Sequence, residues 1–371
     1  MNDAFQKDCL DILAAKAARG EISRRRFTQI AAMIFGGAPL LLRQPEALAQ
    51  VRQLVLVNWG GDALKAYDKA YGQPFQKETG IVVKQDGAGP TEGAIAAQFK
   101  SGKPTWDIVD VDAFSAITLG KQGMLEPIDY NIIDRSKMRP GFDWDYAALT
   151  YFLSYVLAYD TQKYGDNPPK TMADFFDVKK FPGKRTMYKW GAGMWEAALL
   201  ADGVAPDKLY PLDLKRAHAK IAALKPDVVA FWGGGAESQQ LMLGGDASMG
   251  LIWSTRASLI DKDSTGQITF TWDEGLLSPG ALAVIKNNPG GRDNAMKFIA
   301  STSVPARQLI MFEMLGQGPA NPATDALIPI DQKRYNPVDP ANKERQIVLD
   351  MNWYADNYSK ALDEFTRVIS A

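Results

Sequence analysis

The sequence predicts an α/β fold in two lobes, and three observations predict it. Short β-branched or apolar runs alternate with segments of helical period along the chain. The part that follows residue 49 is about 320 residues long, above the roughly 250–300 at which a single hydrophobic core stops growing. Glycine turns beside aromatic residues follow several of the predicted strands, and open α/β sheets gather ligands at the carboxyl ends of their strands.

Residues 1–49 read as an export signal. Ser23-Arg24-Arg25-Arg26-Phe27 precedes the modest apolar run Ile30–Leu42, and Ala47-Leu48-Ala49 offers a small-x-small cleavage site before Gln50. The arginine pair followed by Phe resembles a twin-arginine signal. The run contains two glycines and a proline and is shorter than the ~20 residues that span a bilayer, so a permanent anchor is not expected. Cys9, the one cysteine, precedes the cleavage site, so the exported chain is expected to carry no thiol, disulfide, lipid anchor or cysteine-held metal. A soluble, untethered exported protein implies the periplasm. Of 42 basic and 43 acidic residues, 35 and 38 lie beyond residue 49. That near-neutral balance gives no basic face for nucleic acid.

The first unit runs from Val51 to Val83: the strand Leu54–Trp59, the turn Gly60-Gly61-Asp62, an amphipathic segment Ala63–Lys77, and a second β-branched run Ile81–Val83. Trp59 at the strand tip reads equally as a wall for a small molecule or as a plug of the strand end. Gln85–Glu92 imitates the start of a dinucleotide fingerprint but puts Glu92 where the third glycine belongs and Pro90 where an N–H is needed. A helix capped near Thr91 and facing a cleft is the better reading. In the strand Trp106–Phe114, Asp110 and Asp112 share one side by the two-residue period. Asp112, nearer the tip, can meet a ligand amine or cap the helix that starts at Ala113. Tyr146–Tyr159 has the length and apolarity of a buried strand that crosses between lobes. His218, the only histidine, is expected to be exposed on a Lys/Ala-rich helix.

In order, the opening NW strand, the WDIVDVDAF strand, the run Thr171-Met172-Ala173-Asp174-Phe175-Phe176-Asp177 with Phe181-Pro182-Gly183-Lys184, the strand Met249–Trp253 and a terminal helix around Trp353–Phe365 resemble the extracellular solute-binding proteins of ABC importers, most closely their spermidine/putrescine-binding branch. The resemblance spans nearly the whole exported chain. It implies a type II periplasmic-binding-protein fold: two α/β lobes, each a mixed sheet flanked by helices, joined by crossing hinge strands, with a small solute between them. By analogy, lobe one takes 50–157 and 254–304 and lobe two 158–253 and 305–371. The implied partners are the solute and a permease in the inner membrane, for a monomer without cofactor or metal.

The resemblance carries cleft roles onto Trp59, Asp112, Phe114 and Trp253. The acidic residues with which polyamine binders hold ammonium groups are missing after the F-P-G-K motif, where this chain reads Tyr188–Trp195, and after Trp253, where it reads Ser254-Thr255-Arg256. A dication taken from water needs opposed carboxylates. One amine can be held by Asp112 and by the faces of Trp59 or Trp253, while Arg256 can clamp a carboxylate or serve only as an ion pair. A small zwitterion or amine-bearing organic acid is therefore expected over a polyamine. Trp190 is placed in the cleft, Trp195 in the core, and Trp232 beside the Gly233–Gly235 turn as a residue that closes the cleft. A Ser–His enzyme would have to use His218 and no G-x-S-x-G elbow is present; Asp110, Asp112, Asp273 and Glu274 leave a carboxylate-only hydrolase open.

Overall fold

The computed structural model describes residues 53–370 and, before them, Lys16 alone; apart from Lys16, the expected export signal lies outside the described residues. β1 (Gln53–Val57) leads through Gly60 and Gly61, both with positive φ, into α1 (Asp62–Tyr67), a π-helical turn over Asp68–Gly72 and α2 (Gln73–Thr79). Gly80 ends α2 in the left-handed conformation, and β2 (Val82–Asp86) pairs parallel with β1, completing the expected βαβ unit. α3 (Glu92–Lys100) is capped by Thr91, whose hydroxyl accepts from the Ala94 N–H. Next come β3 (Ile108–Asp112) and α4 (Ala113–Lys121).

β4 (Ala148–Asp160) is the long apolar strand expected from its composition. The run from Thr171 forms α5 (Met172–Phe176), opened by a Thr171–Asp174 capping box. β5 (Arg185–Tyr188), α6 (Met194–Ala201), α7 (Leu214–Leu224), β6 (Val228–Trp232), α8 (Gly235–Leu243), β7 (Met249–Trp253) and α9 (Ser254–Asp263) follow. β8 (Ile268–Val284) is 17 residues long. After it come α10 (Arg292–Thr302), α11 (Pro305–Leu315), the short β9 (Gly318–Pro319) and β10 (Gln346–Val348), and the terminal α12 (Met351–Ser370).

One mixed sheet runs β2-β1-β3-β8-β4-β7-β5-β6. β1, β2 and β3 are mutually parallel, as are β5, β6 and β7, and the antiparallel pair β4/β8 stands between the two groups. Asp112 at the tip of β3 lies opposite Gly280, which lies opposite Tyr151 of β4; Trp253 at the tip of β7 lies opposite Tyr155. The carboxyl ends of both parallel groups therefore converge on the middle of β4.

One apolar cluster gathers Trp195, Trp232, Met249, Leu251 and Phe365, and a second gathers Leu54, Tyr67, Phe298, Met311 and Leu315. Met311 and Leu315 belong to α11, which packs on α1. This corrects the expected division of the chain: residues 305–315 run along the β1 group because their apolar face completes its core. His218 is corrected as well. It is buried at 8% exposure on the inner face of α7, with its ring 6.2 Å from that of Phe365.

The motif segment does structural work. Arg185 is fully buried without a carboxylate and donates to the carbonyls of Phe175 (2.9 Å), Phe181 and Gly183 (both 2.6 Å), tying the motif to the edge of β5. Arg185→Met keeps the apolar stem but takes the donor from three carbonyls, those of Phe175 and Phe181 in buried bonds. It is expected to cost about 2–5 kcal/mol of stability, read as a lower urea midpoint at unchanged slope; an unchanged midpoint would remove this role.

Candidate functional site

At the convergence point lies a cleft of about 470 Å³. Trp59, Gly60 and Gly61 line it from the tip of β1, Asp110 and Asp112 from β3, Tyr151, Leu153 and Tyr155 from β4, and Tyr188 from β5. Gly233–Glu237, Trp253, Thr255, Arg256, Leu315 and Gln317 complete it. A side chamber of about 330 Å³ opens from it, sharing Trp59, Asp112 and Tyr188 and adding Glu92, Ser115, Trp190, Tyr358 and Asp363 among its lining.

The acid side is built on β3. Asp110 is 2% exposed and accepts from the Tyr151 hydroxyl at 3.0 Å. Tyr151 reaches it across Gly280, where any Cβ would lie 2.2 Å from the ring. Burial pushes the Asp110 carboxyl up to about 7, against the pull of that hydrogen bond. Asp112 occupies the N-cap position of α4 with extended backbone, yet its side chain makes no capping hydrogen bond. Of the two expected roles, the cap is therefore absent and the carboxylate is free for the cleft. Burial, and then the neighbouring charge of Glu92, raise it to about 6.

Opposite stands Arg256 on α9. Its guanidinium is largely buried, which lowers its pKa, while Asp62 at 3.8 Å draws it back up. It packs against the first turn of α8: a Cβ on Gly235 would lie 2.3 Å from Nε, so glycine is required there. The first N–H groups of a helix have no intrahelical partner, and Gly234, Gly235 and Ala236 present that end of α8 to the cleft. Guanidinium and helix terminus together form an anion seat. Gly233 donates its N–H to Glu237 at 2.7 Å, which engages that carboxylate locally.

Aromatic faces connect the two seats. Trp59 is 43% exposed at the mouth, so the wall reading fits its placement rather than the plug. Trp253 lines the floor with its Nε1 buried and unpartnered among the described residues. Trp190 lines the side chamber and donates Nε1 to the Gly233 carbonyl at 3.2 Å, and its own carbonyl accepts from the Tyr358 hydroxyl of α12.

Two expected contacts stand behind the wall. Phe114 turns inward from the first turn of α4 and packs on Tyr354 and Tyr358, with centroids 5.2 and 4.6 Å away. Trp232 is fully buried, donates to the Leu251 carbonyl at 3.0 Å and supports Tyr188 and Trp253 from beneath. Both are corrected from cleft contacts to packing residues, and Trp195, fully buried, is core as expected. Sequence reasoning missed Tyr151, Tyr155 and Tyr188 as lining residues, which had only the two-residue period of their strands to mark them. Asp273 pairs with Arg345, and Glu274 accepts from the Met172 N–H, so neither joins Asp110 and Asp112 in the cleft. Among the described residues no group of three or more His, Cys, Asp or Glu is placed to hold a metal, and no helix is long and apolar enough to cross a membrane.

A cleft between two parallel strand groups, with opposed charge seats joined by aromatic faces, defines a two-lobed solute-binding protein. Residues 70–335 match the sequence profile of the bacterial extracellular solute-binding proteins, and the chain belongs to that family. It is 33% identical over 320 residues to the gamma-aminobutyric acid-binding protein of Pseudomonas aeruginosa, covering 84% of this chain and 89% of that one. Among solved structures, an ABC transporter substrate-binding protein from Bradyrhizobium japonicum superposes with a TM-score of 0.80 at 33% identity, over 85% of this chain and 99% of that one. The Atu4243-GABA receptor does so with a TM-score of 0.79 at 37% identity, over 85% and 97%. The protein is the extracytoplasmic solute-binding component of an ABC transporter, not an enzyme, and it serves a permease. The solute named by these relatives is gamma-aminobutyric acid, which does not establish the spermidine/putrescine branch.

Asp110 gives a test of the site's strain. The folded state holds its proton to higher pH than the unfolded chain, so the ionised form costs stability increasingly as pH rises from about 4 to about 7. Asp110→Asn is expected to raise the melting temperature near pH 8, by the equivalent of roughly 1–4 kcal/mol, and to give no gain near pH 4. Melts at both values check this; an equal gain at both would mean packing rather than charge.

Proposed function

We propose that the protein captures a small zwitterion bearing an amine and a carboxylate, and that the opposed seats carry this reading. The ammonium lies against Asp112, backed by Asp110, and is desolvated by Trp59 and Trp253. Cation–π contact adds ~0.5–2 kcal/mol per face. The carboxylate lies on Arg256 and the first turn of α8, displacing the long contact to Asp62. A linear polyamine would put one ammonium beside that guanidinium, where like charges repel. The gamma-aminobutyric acid-binding relative and the GABA receptor, by name, bind a molecule of the favoured kind. Closure of the two halves about β4 and β8 then presents one surface to the permease. In this reading the protein is a periplasmic monomer exported through a twin-arginine-type signal.

A thermal-shift series with gamma-aminobutyric acid, other amino acids, organic acids and putrescine tests it. Saturation at a hundredfold excess over Kd adds about 2.7 kcal/mol, so a zwitterion should shift the melt and putrescine should not. A shift with putrescine alone would overturn the reading. Arg256→Ala should weaken a responding zwitterion at least ~30-fold, the equivalent of about 2 kcal/mol for a truncated buried charge contact.

Affinity should also depend on pH. Protons compete with the ammonium for Asp112 and Asp110, so binding is level above about pH 7.5 and weakens as pH falls through the range of 7 to 6. The loss approaches tenfold per unit for each carboxylate that must ionise. Titration calorimetry between about pH 5 and 8 reads this, and a flat profile would take both carboxylates out of the amine seat.

A further inference from the structure

The opposed seats account for Asp110 and Asp112 and leave the side chamber, with Glu92, unexplained. Its charged lining consists of Glu92, Asp112 and Asp363, with no Lys or Arg among its lining residues. Lys189 lies over the Trp190 ring, 4.9 Å from the centroid, and does not line the chamber. Ser115 donates its hydroxyl to Glu92 Oε1 at 2.7 Å, which fixes that carboxylate on the chamber wall. At the junction, Asp112 makes no capping bond. Behind it Asp110, 98% buried, lines the cleft with only Oδ1 engaged, by Tyr151, leaving Oδ2 without a partner among the described residues. A zwitterion of net charge zero brings one cation to three partly or fully buried carboxylates, Asp110, Asp112 and Glu92. Buried carboxylates without a cation are costly, and the chamber is contiguous with the cleft through Trp59, Asp112 and Tyr188.

We propose that the side chamber is a second cation subsite and that the solute class is an amino acid with a positively charged side chain. This rests on the zwitterion reading and deepens it. The carboxylate of the head group sits on Arg256 and the α8 terminus, its ammonium on Asp110 and Asp112, and the side-chain cation passes Trp59 to reach Glu92, with Asp363 beyond. Trp59 and Trp190, 43% and 37% exposed, give that cation and its alkyl stem aromatic faces at the chamber mouth. The chamber therefore sets specificity by charge: an amino acid whose side chain ends in a carboxylate would face Glu92 and be rejected.

Titration calorimetry on the purified full chain tests this with lysine, ornithine and arginine against gamma-aminobutyric acid and glutamate. At least one of the three basic amino acids is expected to bind ten times or more tighter than gamma-aminobutyric acid, and glutamate more weakly than either. Glu92→Gln keeps the Ser115 hydrogen bond and, measured near pH 8 where Asp112 is ionised with or without the Glu92 charge, should remove most of that advantage while changing the affinity for gamma-aminobutyric acid less than twofold. Asp363→Asn supplies a second variant, expected to weaken only the basic amino acids. Equal or tighter binding of gamma-aminobutyric acid by the unaltered protein, or equal losses for both solute kinds in Glu92→Gln with an unchanged melting temperature, would overturn the chamber and leave the zwitterion reading standing. Failure of every amino acid to bind would overturn both.

Discussion

The cleft exists because two long antiparallel strands separate two parallel groups that run toward each other. β3 reaches β8 with its tip level with Tyr151, and β7 reaches β4 from the other end with its tip level with Tyr155. Parallel strands expose ligand groups at their carboxyl ends, so this arrangement aims both sets of strand tips at the same few residues of β4. Tyr151, Leu153 and Tyr155 share a face by the two-residue period and form the wall on which both groups close. With β4 and β8 side by side, an acid from one group and an arginine from the other line one cleft.

The same pair explains how the acid side is held. Tyr151 can reach Asp110 only because β8 carries a glycine between them. Ser278-Pro279-Gly280 is unusual in a central strand: proline has no N–H for the ladder and glycine weakens it. Here the register between β4 and β8 shifts just past this point, between Leu149 and Tyr151. A locally weakened strand thus supports a chemically demanding carboxylate, the expected coincidence of a broken local rule with a functional position.

Much of the fold was legible. The βαβ unit, the Thr91 cap and the crossing strand over Tyr146–Tyr159 all rest on local patterns that tertiary contacts leave intact. β8 was not, because Pro279 and Gly280 are turn residues by type and because its longer partners, β3 and β4, lie more than 100 residues away in sequence. Within the cleft lining, the strand tips supplied Trp59, Asp112 and Trp253, and the third residue past a tip supplied Arg256. Phe114 and Trp232 failed for one reason. Each is an aromatic residue beside a strand tip, and only the packing of Tyr354, Tyr358, Tyr188 and Trp253 decides which face of such a residue meets the cleft. The motif from Thr171 to Lys184 carried family likeness without cleft chemistry, since its carbonyls are used by Arg185.

The contrast between Asp112 and Glu237 shows what makes a carboxylate available to a ligand. Both stand near a helix start, where an acid is favoured for any helix. Glu237 turns back and takes the Gly233 N–H, so its charge is already engaged. Asp112 leaves the N–H groups of α4 alone, stays ionisable between Glu92 and the aromatic wall, and has its pKa raised by the burial it accepts. A carboxylate that forgoes the local hydrogen bond and is desolvated instead is less stable empty than filled. In the proposed reading, the free energy withheld from folding at β3 is returned when an ammonium arrives, which would couple capture of the solute to closure of the cleft.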